Sequence, residues 1–362
     1  MVYFTKIHLS NFRNFLSYEL NLNKNCNIFY GKNGSGKTNI LESLSLFGRG
    51  RGFRNDKIKN LINISSEKFS ITSDLNINNN TYNLILSSEI INNKHKKKIL
   101  INDDDTVETK KYLETHLSFI YFLPEMERMF VSSPSNRRNF IDKLIFSTEK
   151  KYNQIINSYK KNILERYKIL NSSMVDHEWL NKIEHNIANI SLQIYEFRNN
   201  QINILTKYLK KIEKIIGKSF NITINLDDSF FSNNLNIDLY MSNLKETRKY
   251  DKTYGGSKIG PHKSDFIFYT KDNFLVSQLS TGQQKTIVLL LIFAQIQYLI
   301  NEENQKPIVL FDEICSHLDE LNRSILQRIT LENDIQFFMT GTSKTLFSFL
   351  STNTNFYNII EK

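Results

Sequence analysis

The stretch GKNGSGKT, Gly31–Thr38, decides the fold of this chain. It matches the pattern G-x-x-x-x-G-K-[ST] in full, follows the apolar run NIFY and opens a segment with helical spacing. Its glycines allow backbone N–H groups to approach phosphate oxygens, and the positive end of the following helix adds to the attraction. Lys37 would reach the β- and γ-phosphates, and the Thr38 hydroxyl would ligate Mg²⁺. A strand, a phosphate loop and a helix are therefore predicted, as in α/β nucleotide-binding folds.

All eight residues of the loop are candidates for binding ATP: Gly31, Lys32, Asn33, Gly34, Ser35, Gly36, Lys37 and Thr38.

A second motif supplies the carboxylates that such a loop needs. In PIVLFDE, 307–313, four apolar residues predict a buried strand. Asp312 emerges at its end, where it can hold Mg²⁺, and Glu313 is placed to orient the attacking water. Adjacent acids at a strand end are also compatible with a solvated turn, but the phosphate loop favours the catalytic interpretation.

A third motif, QLSTGQQKT at 278–286, precedes a long apolar segment. Ser280 is an N-cap candidate, and the free N–H groups behind it make a second anion site. One γ-phosphate does not easily need two such sites from one chain, so a head-to-tail pair of copies is expected. Ser280, Gly282 and Gln283 would then close on the nucleotide of the partner copy.

Composition sets broad limits on the chain. Its 362 residues, 40% of them hydrophobic, are enough for two or three lobes. The formal charge of +10 raises the odds of an anionic partner such as nucleic acid, although codon bias toward Asn, Lys and Ile explains it equally well. Cys26 and Cys315 lack metal spacing and are interpreted as packing thiols. The start lacks a signal-peptide core and no apolar run is long enough to span a bilayer, so a cytoplasmic chain without membrane contact is expected.

Hydrophobic periodicity predicts an α/β chain interrupted by a helical segment. Helices are predicted at 37–47 and 281–299, from 319, from 343, and as three helices between 135 and 216 that break near 149 and 171–176. Strands are predicted at 3–9, 15–22, 27–30, 118–124, 220–226, 265–269, 307–313 and 335–340, with an antiparallel meander at 68–102.

The motif order NFRNF, GKNGSGKT, LSTGQQK and PIVLFDEICSHLD resembles that of ABC-type ATPase heads. More than half of the chain lies between the second and third motifs, far more than in a transporter ATPase and far less than in an SMC protein. YFLPEMERMFVSSPSNRRNFID (121–142) and GGSKIGPHKSDFIF (255–268) are similar to the FxPED…GSPxxRRxFLD and GxxxxGPHRDDL segments of the RecF family of bacterial recombination proteins.

The resemblance implies an ABC-type P-loop ATPase head, with a mixed sheet and an antiparallel β meander, into which an α-helical lobe is inserted. The head would comprise residues 1–133 and 217–362, and the arm lobe residues 134–216.

The resemblance also implies an ATP-dependent DNA-binding protein of recombinational gap repair, replication restart and SOS induction. Such a protein forms a homodimer on ATP, binds junctions of single- and double-stranded DNA, hydrolyses ATP slowly to release DNA, and works with RecR and RecO. Carried over by position, Asp312 holds the metal, Glu313 activates water, Asp319 lies at the dimer seam and Arg13 touches the nucleotide.

Two departures from the family pattern are visible. Lys32 and Ser35 stand where Glu and Gln are usual. KSD replaces RDD after GPH, which leaves Asp265 as the acid of that segment. Thr340 and Thr342 stand in place of a switch histidine; the resembled family commonly has threonines there, so slow hydrolysis is expected.

Several cations are candidates for DNA contact. Arg49, Arg51 and Arg54 lie in a glycine-rich loop that could follow a polyanion, although a solvated loop or an adenosine clamp fits equally. The pair Arg137 and Arg138 starts a helix, where cations oppose the dipole, so a functional role or a salt bridge is expected.

Two other features carry an open choice. The run KHKKK at 94–98 is interpreted as a solvated strand edge or a DNA contact. His262 is expected to be a hydrogen-bonded structural residue rather than a ligand.

Two other functions compete with the DNA clamp. An ATPase subunit of a membrane transporter is disfavoured by the long insertion and the basic charge. A non-hydrolysing ATP-binding DNA scaffold is disfavoured by the intact Asp312–Glu313 pair. No metal site besides that for Mg²⁺ is expected, because the acidic run at 103–105 is typical of a turn.

Overall fold

The computed structural model describes residues 1–91, 94–228, 236–271, 273–315, 318–350 and 353–360. The chain forms two compact units, one of Met1–Glu127 with Lys285–Lys362 and the other of Arg128–Gln284.

The strands of the described chain are β1 Val2–Phe12, β2 Phe15–Asn21, β3 Cys26–Tyr30, β4 Ser70–Ile77, β5 Asn80–Ile91, β6 Lys94–Ile101, β7 Phe119–Phe122, β8 Thr223–Asp227, β9 Asp265–Tyr269, β10 Ile308–Phe311, β11 Phe337–Gly341 and β12 Thr354–Asn358. The α-helices are α1 Lys37–Ser45, α2 Val107–His116, α3 Pro134–Thr148, α4 Tyr152–Leu170, α5 His177–Ile216, α6 Ile237–Tyr254, α7 Thr281–Asn301 and α8 Glu320–Glu332.

The first unit holds an antiparallel sheet in the order β2-β1-β4-β5-β6. Burial alternates along β1, whose Phe4 and Leu9 are fully buried. That period of two is the signature of a strand with one face on the core. The predicted meander is confirmed as β4, β5 and β6.

A second sheet of the first unit positions the phosphate loop. Its order is β12-β3-β11-β10-β7, and every neighbouring pair is parallel. The loop follows β3, the acidic pair follows β10, and β11 lies between these two strands. Because the carboxyl ends of parallel strands meet at one edge, this topology collects both motifs at the same edge of the sheet.

Helix α7 supplies much of the buried apolar surface. Every residue from Ile287 to Ala294 is buried. By length and composition, with a mean hydropathy of 1.2, α7 could cross a membrane, contrary to the expectation from the sequence. Since 78% of that window is buried inside the structure, α7 has the environment of a core helix.

The second unit consists of α3 to α6 and a two-stranded antiparallel sheet of β8 and β9. The predicted helix breaks near 149 and 171–176 are confirmed. The compact unit extends from 128 to 284 rather than from 134 to 216. The extension arises because α6 packs on α4 and α5, and β8 pairs with β9.

The prediction of a final helix from Ser343 is wrong. A short 3₁₀ turn, Lys344–Phe347, is followed by the strand β12, which pairs with β3. Sequence analysis also missed α2 and α6, whose apolar residues are too few to produce a strong helical period. Both cysteines are buried free thiols, as predicted, and burial raises the pKa of Cys26 and Cys315 to about 12.

Candidate functional site

The phosphate loop depends on glycines at its two ends. Gly31 has a φ of 149°, and a Cβ there would collide with the carbonyl oxygen of Ile359. Gly36 has a φ of 101°, and a Cβ there would lie 2.6 Å from Cζ of Phe15. Gly36 is also the N-cap of α1, so the loop runs directly into the helix start. Side chains at either position would break the turn that presents the backbone N–H groups.

Lys37 bends back over its own loop. Its Nζ donates to the carbonyl oxygens of Gly31 at 2.9 Å and Lys32 at 2.7 Å. Burial lowers the pKa of Lys37, and the nearby carboxylates of Glu313 and Asp312 partly offset that effect. The Lys37 ammonium is therefore hydrogen-bonded to neutral carbonyl oxygens within its loop, an arrangement suited to an anion.

Asp312 is joined to the loop by hydroxyl groups. Thr38 Oγ1 donates to Asp312 Oδ1 at 2.9 Å, and Thr340 Oγ1 donates to the same oxygen at 2.6 Å. Asp312 is only 5% exposed. Since each hydroxyl uses its proton on the carboxylate, the Thr38 oxygen keeps its lone pairs available to a cation.

Glu313 is held by its backbone. Its N–H donates to Thr340 Oγ1 at 2.7 Å, and its φ is 50°. A left-handed conformation is unfavourable for a residue with a side chain, so a local contact must maintain it. Thr340 therefore contacts both acids, a link that the sequence did not indicate.

These residues fit a phosphate and a hard cation. The Ser35 hydroxyl is buried and has no hydrogen-bond partner in the described chain. Thr38 and Asp312 offer the oxygen ligands that Mg²⁺ prefers, and Mg²⁺ commonly takes one or two carboxylates plus phosphate oxygens. No group of three or more His, Cys, Asp or Glu residues able to hold a metal occurs among the described residues. A bound triphosphate would supply further oxygen ligands.

Arg13 is tied to acids. Its guanidinium donates to both carboxylate oxygens of Glu42, at 2.9 and 2.8 Å, and to Asp56 at 2.9 Å. Burial works against its charge, but these acids leave the pKa of Arg13 raised. Glu42 lies on α1 and is fully buried, so Arg13 fixes the helix that follows the phosphate loop. Its predicted contact with nucleotide stays a prediction.

The three arginines after α1 differ in their partners. Arg49 donates to the carbonyl oxygen of Glu114 at 3.1 Å, and Arg54 donates to Asn39 Oδ1 at 3.1 Å. Arg51 is exposed, and no hydrogen bond or ion pair is recorded for it within the described ranges. Of the three, Arg51 is the one best placed to meet an external phosphate.

Lys97, in the run 94–98, is bound to backbone carbonyls rather than solvated, which corrects the interpretation as a solvated edge at that position, while DNA contact by the run stays a prediction. Its Nζ donates to the carbonyl oxygens of Leu46, Gly48 and Gly50 at 2.8, 3.3 and 2.9 Å. Leu46 is the C-cap of α1, where carbonyls lack intrahelical donors, and Gly48 and Gly50 lie in the loop that follows, so Lys97 ties this loop to the end of the helix. Burial lowers the pKa of Lys97 to about 8.

Arg137 and Arg138 hold the GPHKSD segment of the second unit. Arg137 donates Nε and Nη2 to the two carboxylate oxygens of Asp265 at 2.8 and 2.7 Å. Arg138 donates to the carbonyl oxygen of Ser264 at 2.5 Å. The alternatives for Arg137 were a functional role or a salt bridge, and this geometry favours the salt bridge.

His262 also has structural partners. Its Nδ1 accepts from the Tyr159 hydroxyl at 2.6 Å, and its Nε2 donates to the carbonyl oxygen of Ser257 at 2.9 Å. Burial lowers the pKa of His262 to about 4, and the positive charges of Lys263, Arg138 and Arg198 act in the same direction. The imidazole is therefore neutral at pH 7.

We expect His262 to make the folded state acid-sensitive. Its folded pKa is depressed, so the unfolded chain takes up a proton first as the pH falls below about 6.5. The free energy of unfolding should then fall between about pH 6.5 and 4, by up to about 1.4 kcal/mol per pH unit. Urea unfolding at a series of pH values measures this slope. His262→Asn should be less stable at pH 7.5 but show a shallower slope, whereas the exposed His185→Asn should keep the wild-type slope. An unchanged slope in His262→Asn would contradict the assignment.

The third motif forms a capping box at the start of α7. Ser280 Oγ accepts from the Gln283 N–H at 3.3 Å, and the Ser280 N–H donates to Gln283 Oε1 at 3.1 Å. A Cβ at Gly282 would meet no atom within 4 Å. Sequence analysis missed Gln284, whose buried Nε2 donates to the carbonyl oxygens of Ser277 and Leu279 at 3.3 and 2.8 Å. The turn of the motif is therefore fixed within its own unit.

Asp319 caps α8, and its Oδ1 accepts from the N–H of Asn322 at 2.8 Å. Its predicted place at a dimer seam stays a prediction. Ser316 and His317 of the same SHLD segment lie outside the described residues.

Comparison with known proteins supports one family. Residues 3–360 match the family model described as RecF/RecN/SMC N terminal domain. A protein of Rickettsia typhi named DNA replication and repair protein RecF is 32% identical over 352 residues, which cover 94% of this chain and 95% of that protein. A protein of the same name from Rickettsia africae is 31% identical over 349 residues, with the same coverage.

Solved structures share the fold. A structure described as the recombination mediator protein RecF-ATPrS in the RecFOR pathway superposes with a TM-score of 0.83 at 23% identity, covering 99% of this chain and 96% of that one. An Smc head domain from Pyrococcus furiosus gives a TM-score of 0.53 at 16% identity, covering 100% of this chain and 94% of that one. The predicted ABC-type head fold is thereby confirmed, and the chain belongs to the RecF family within the RecF/RecN/SMC group of ATPase heads.

Proposed function

We propose that this protein is an ATP-dependent DNA-binding protein of DNA replication and repair. One observation carries the proposal: the carboxylate of Asp312 is bonded through hydroxyls to both the phosphate loop and β11. A loop with a purely structural role does not need a buried positive charge, a buried hydroxyl without a partner in the described chain and a carboxylate shared by two hydroxyls, all at one edge of the sheet. The names of the relatives, DNA replication and repair protein RecF, give the process in which the site would act.

ATP with Mg²⁺ would supply the triphosphate charge and the phosphoanhydride bond to be cleaved. The N–H groups of Gly31–Thr38 and the ammonium of Lys37 would hold the phosphate charge. Thr38 and Asp312 would hold the cation, and the Glu313 carboxylate would accept a proton from the attacking water. Thr340 would keep both acids in place during that transfer.

We further propose that two copies assemble head to tail on ATP. In the capping box the Ser280 hydroxyl accepts from the Gln283 N–H, so it can still donate its proton to a partner's phosphate, and the positive end of α7 favours the same anion. Slow hydrolysis, release of DNA, cooperation with RecR and RecO, SOS induction and a cytoplasmic location belong to this proposal. One solved relative of the same fold is the recombination mediator protein RecF of the RecFOR pathway.

A DNA-retention experiment tests the proposal. Gapped duplex DNA, ATP and Mg²⁺ should give dimers by light scattering and retain DNA at physiological salt. Lys37→Met and Ser280→Arg should each lower retention by at least about tenfold. Lys37→Met removes a contact to the phosphate from one copy of the dimer, and Ser280→Arg removes a contact to the same phosphate from the other copy. Lys182→Met, at an exposed position far from the phosphate loop in sequence, should retain DNA as the wild type does. ATP-independent dimers in both variants would reject the gating model.

An ATPase subunit of a membrane transporter is the alternative function. Its outcome in the same experiment is specific: ATP binding would persist, DNA would not be retained at physiological salt, and a membrane subunit would co-purify. A phosphate-release assay distinguishes the non-hydrolysing scaffold, which would release no phosphate. If the wild type hydrolyses ATP, Glu313→Gln should abolish the release.

A further inference from the structure

The C-terminal part of α5, in the second unit, presents a row of lysines to solvent. Four exposed side chains form this α5 row: Lys207, Lys210, Lys211 and Lys214. Their spacings of three, four and seven residues place them on one side of the helix. Leu205 and Ile212, on the opposite side of α5, are fully buried. The row therefore points away from the core of the unit and toward water.

Along α5, no exposed acid stands beside the row. The nearest exposed acid on the same side of the helix is Glu196, about three turns before the first lysine. Glu213 lies on a flank of the row and is half-buried, and its Oε1 accepts from the N–H groups of Phe220 and Asn221 at 2.9 and 2.7 Å. No ion pair is recorded for the last three lysines of the row in the described part of the chain. The row is therefore an uncompensated strip of positive charge.

This strip of charge does not help the helix that carries it. The row contains two pairs of lysines at a spacing of four residues, and like charges at that spacing destabilise a helix. The negative end of the helix dipole favours cations only in the last turn, which contains Lys214 but not the other three lysines. The first turns of α5 pair opposite charges instead, since Lys182 Nζ donates to Glu178 Oε1 at 3.0 Å. The row is thus better explained by an anionic partner than by the stability of α5.

The side of α5 that carries the row fits a phosphate backbone. It continues toward the N-terminus with exposed amides, Asn199, Asn200 and Asn203, and such groups also donate to phosphate oxygens. From Asn199 to the last lysine the surface is about 22 Å long, roughly two-thirds of a turn of duplex DNA. Within α5, which the structure describes in full, no large apolar side chain is exposed between Trp179 and Ile215. A single strand would gain from exposed rings for stacking, and an acidic protein would gain from apolar contacts.

We propose that the α5 row binds the phosphate backbone of duplex DNA. The inference rests on the proposed function and deepens it by assigning a surface to the paired part of a gapped substrate. Lysine contacts to phosphates do not depend on base sequence, and they weaken as salt rises. Lys211 Nζ lies 4.4 Å from the centroid of the buried Tyr208 ring, a cation–π contact that orders part of the row before DNA arrives.

Fluorescence anisotropy of the full-length protein with ATP, Mg²⁺ and a duplex hairpin tests the row. Combining Lys210→Gln with Lys214→Gln should weaken hairpin binding by about five- to tenfold and reduce the slope of log affinity against log salt by about two, because each phosphate contact contributes roughly one. A hairpin of different sequence should show the same loss. Combining Lys210→Arg with Lys214→Arg should bind as the wild type does, because both charges are kept.

The matched control combines Lys161→Gln with Lys168→Gln, at two exposed positions of α4. It removes the same charge, but Glu165 lies between these lysines on the same side of α4, so hairpin binding should be unchanged. Thermal unfolding should show that both double variants fold. An equal loss in the control would mean that net charge alone attracts DNA, and it would overturn the assignment. A larger loss for an oligothymidylate than for the hairpin would assign the row to single strands and would overturn it as well.

The same variants separate this proposal from the previous one. If the double glutamine variant of the row binds the hairpin normally while Lys37→Met loses ATP-dependent retention, the role of the row is overturned and the proposed function stands. If that variant loses affinity while retention by the wild type does not depend on ATP, the role of the row stands and ATP gating is overturned. Failure of the wild type to bind any DNA would overturn both proposals.

Discussion

Replacing Thr340 with valine is expected to lower ATP turnover by about 100-fold while changing ATP affinity by less than about tenfold, as is usual when a group that orients a metal ligand is lost. Valine keeps the shape of the side chain but removes the hydroxyl that donates to Asp312 Oδ1 at 2.6 Å and accepts from the Glu313 N–H at 2.7 Å. Asp312 retains the bond from Thr38 at 2.9 Å, so cation binding should be weakened rather than abolished. Glu313 loses the contact that maintains its φ of 50°.

The measurement is phosphate release with gapped DNA, as single turnover and steady state, so that kcat and KM are separated. Thr340→Ser should restore turnover to within about tenfold of the wild type, because it returns the hydroxyl that orients the ligand. A thermal unfolding curve confirms that each variant folds, which matters because position 340 is fully buried. Turnover of Thr340→Val at the wild-type rate, or an equal loss in Thr340→Ser, would mean that the hydroxyl positions neither acid.

Sequence motifs predicted those parts of the candidate site whose residues are adjacent in the chain. The loop Gly31–Thr38, the helix after it and the acids after β10 were all expected, because glycine dihedrals and apolar strand patterns are local properties. The bounds of β9, Asp265–Tyr269, were predicted for the same reason, since its alternation is strict. The order of the motifs along the chain, which resembles that of ABC-type ATPases, then identified the fold of the head.

The sequence could not predict contacts between distant segments. Thr340 meets Asp312 because β11 lies beside β10, and Lys97 meets the end of α1 because the meander folds back over it. The strand β12 looked helical in sequence, since only its pairing with β3 supplies hydrogen bonds to its backbone. Arg13 resembled a nucleotide contact by its motif, while its bidentate bond to Glu42 depends on a helix that the motif does not include.

Replacing Arg166 with methionine is expected to reduce the free energy of unfolding by about 3–5 kcal/mol, because it leaves buried charges without their partner. Arg166 is fully buried, as are Glu184 and Asp251, to which it donates at 2.9 and 2.6 Å. Its Nη2 also donates to the carbonyl oxygen of Leu244 at 2.7 Å. These bonds join α4, α5 and α6, so one residue supports the packing of three helices.

Urea unfolding of the full chain at pH 7.5 measures this loss. The contacts that Glu184 and Asp251 keep without Arg166 predict which of the two acids contributes more to it. Glu184 retains Arg248, which donates to it at 2.5 Å, whereas Asp251 keeps only the Thr247 hydroxyl and the Lys258 N–H. Adding Asp251→Asn to Arg166→Met should therefore recover part of the stability, because it removes the less compensated charge. Lys182→Met, which breaks only an exposed pair with Glu178, should cost less than about 1 kcal/mol. A loss in Arg166→Met as small as that of Lys182→Met would show that water reaches the acids and that the three helices do not depend on this arginine.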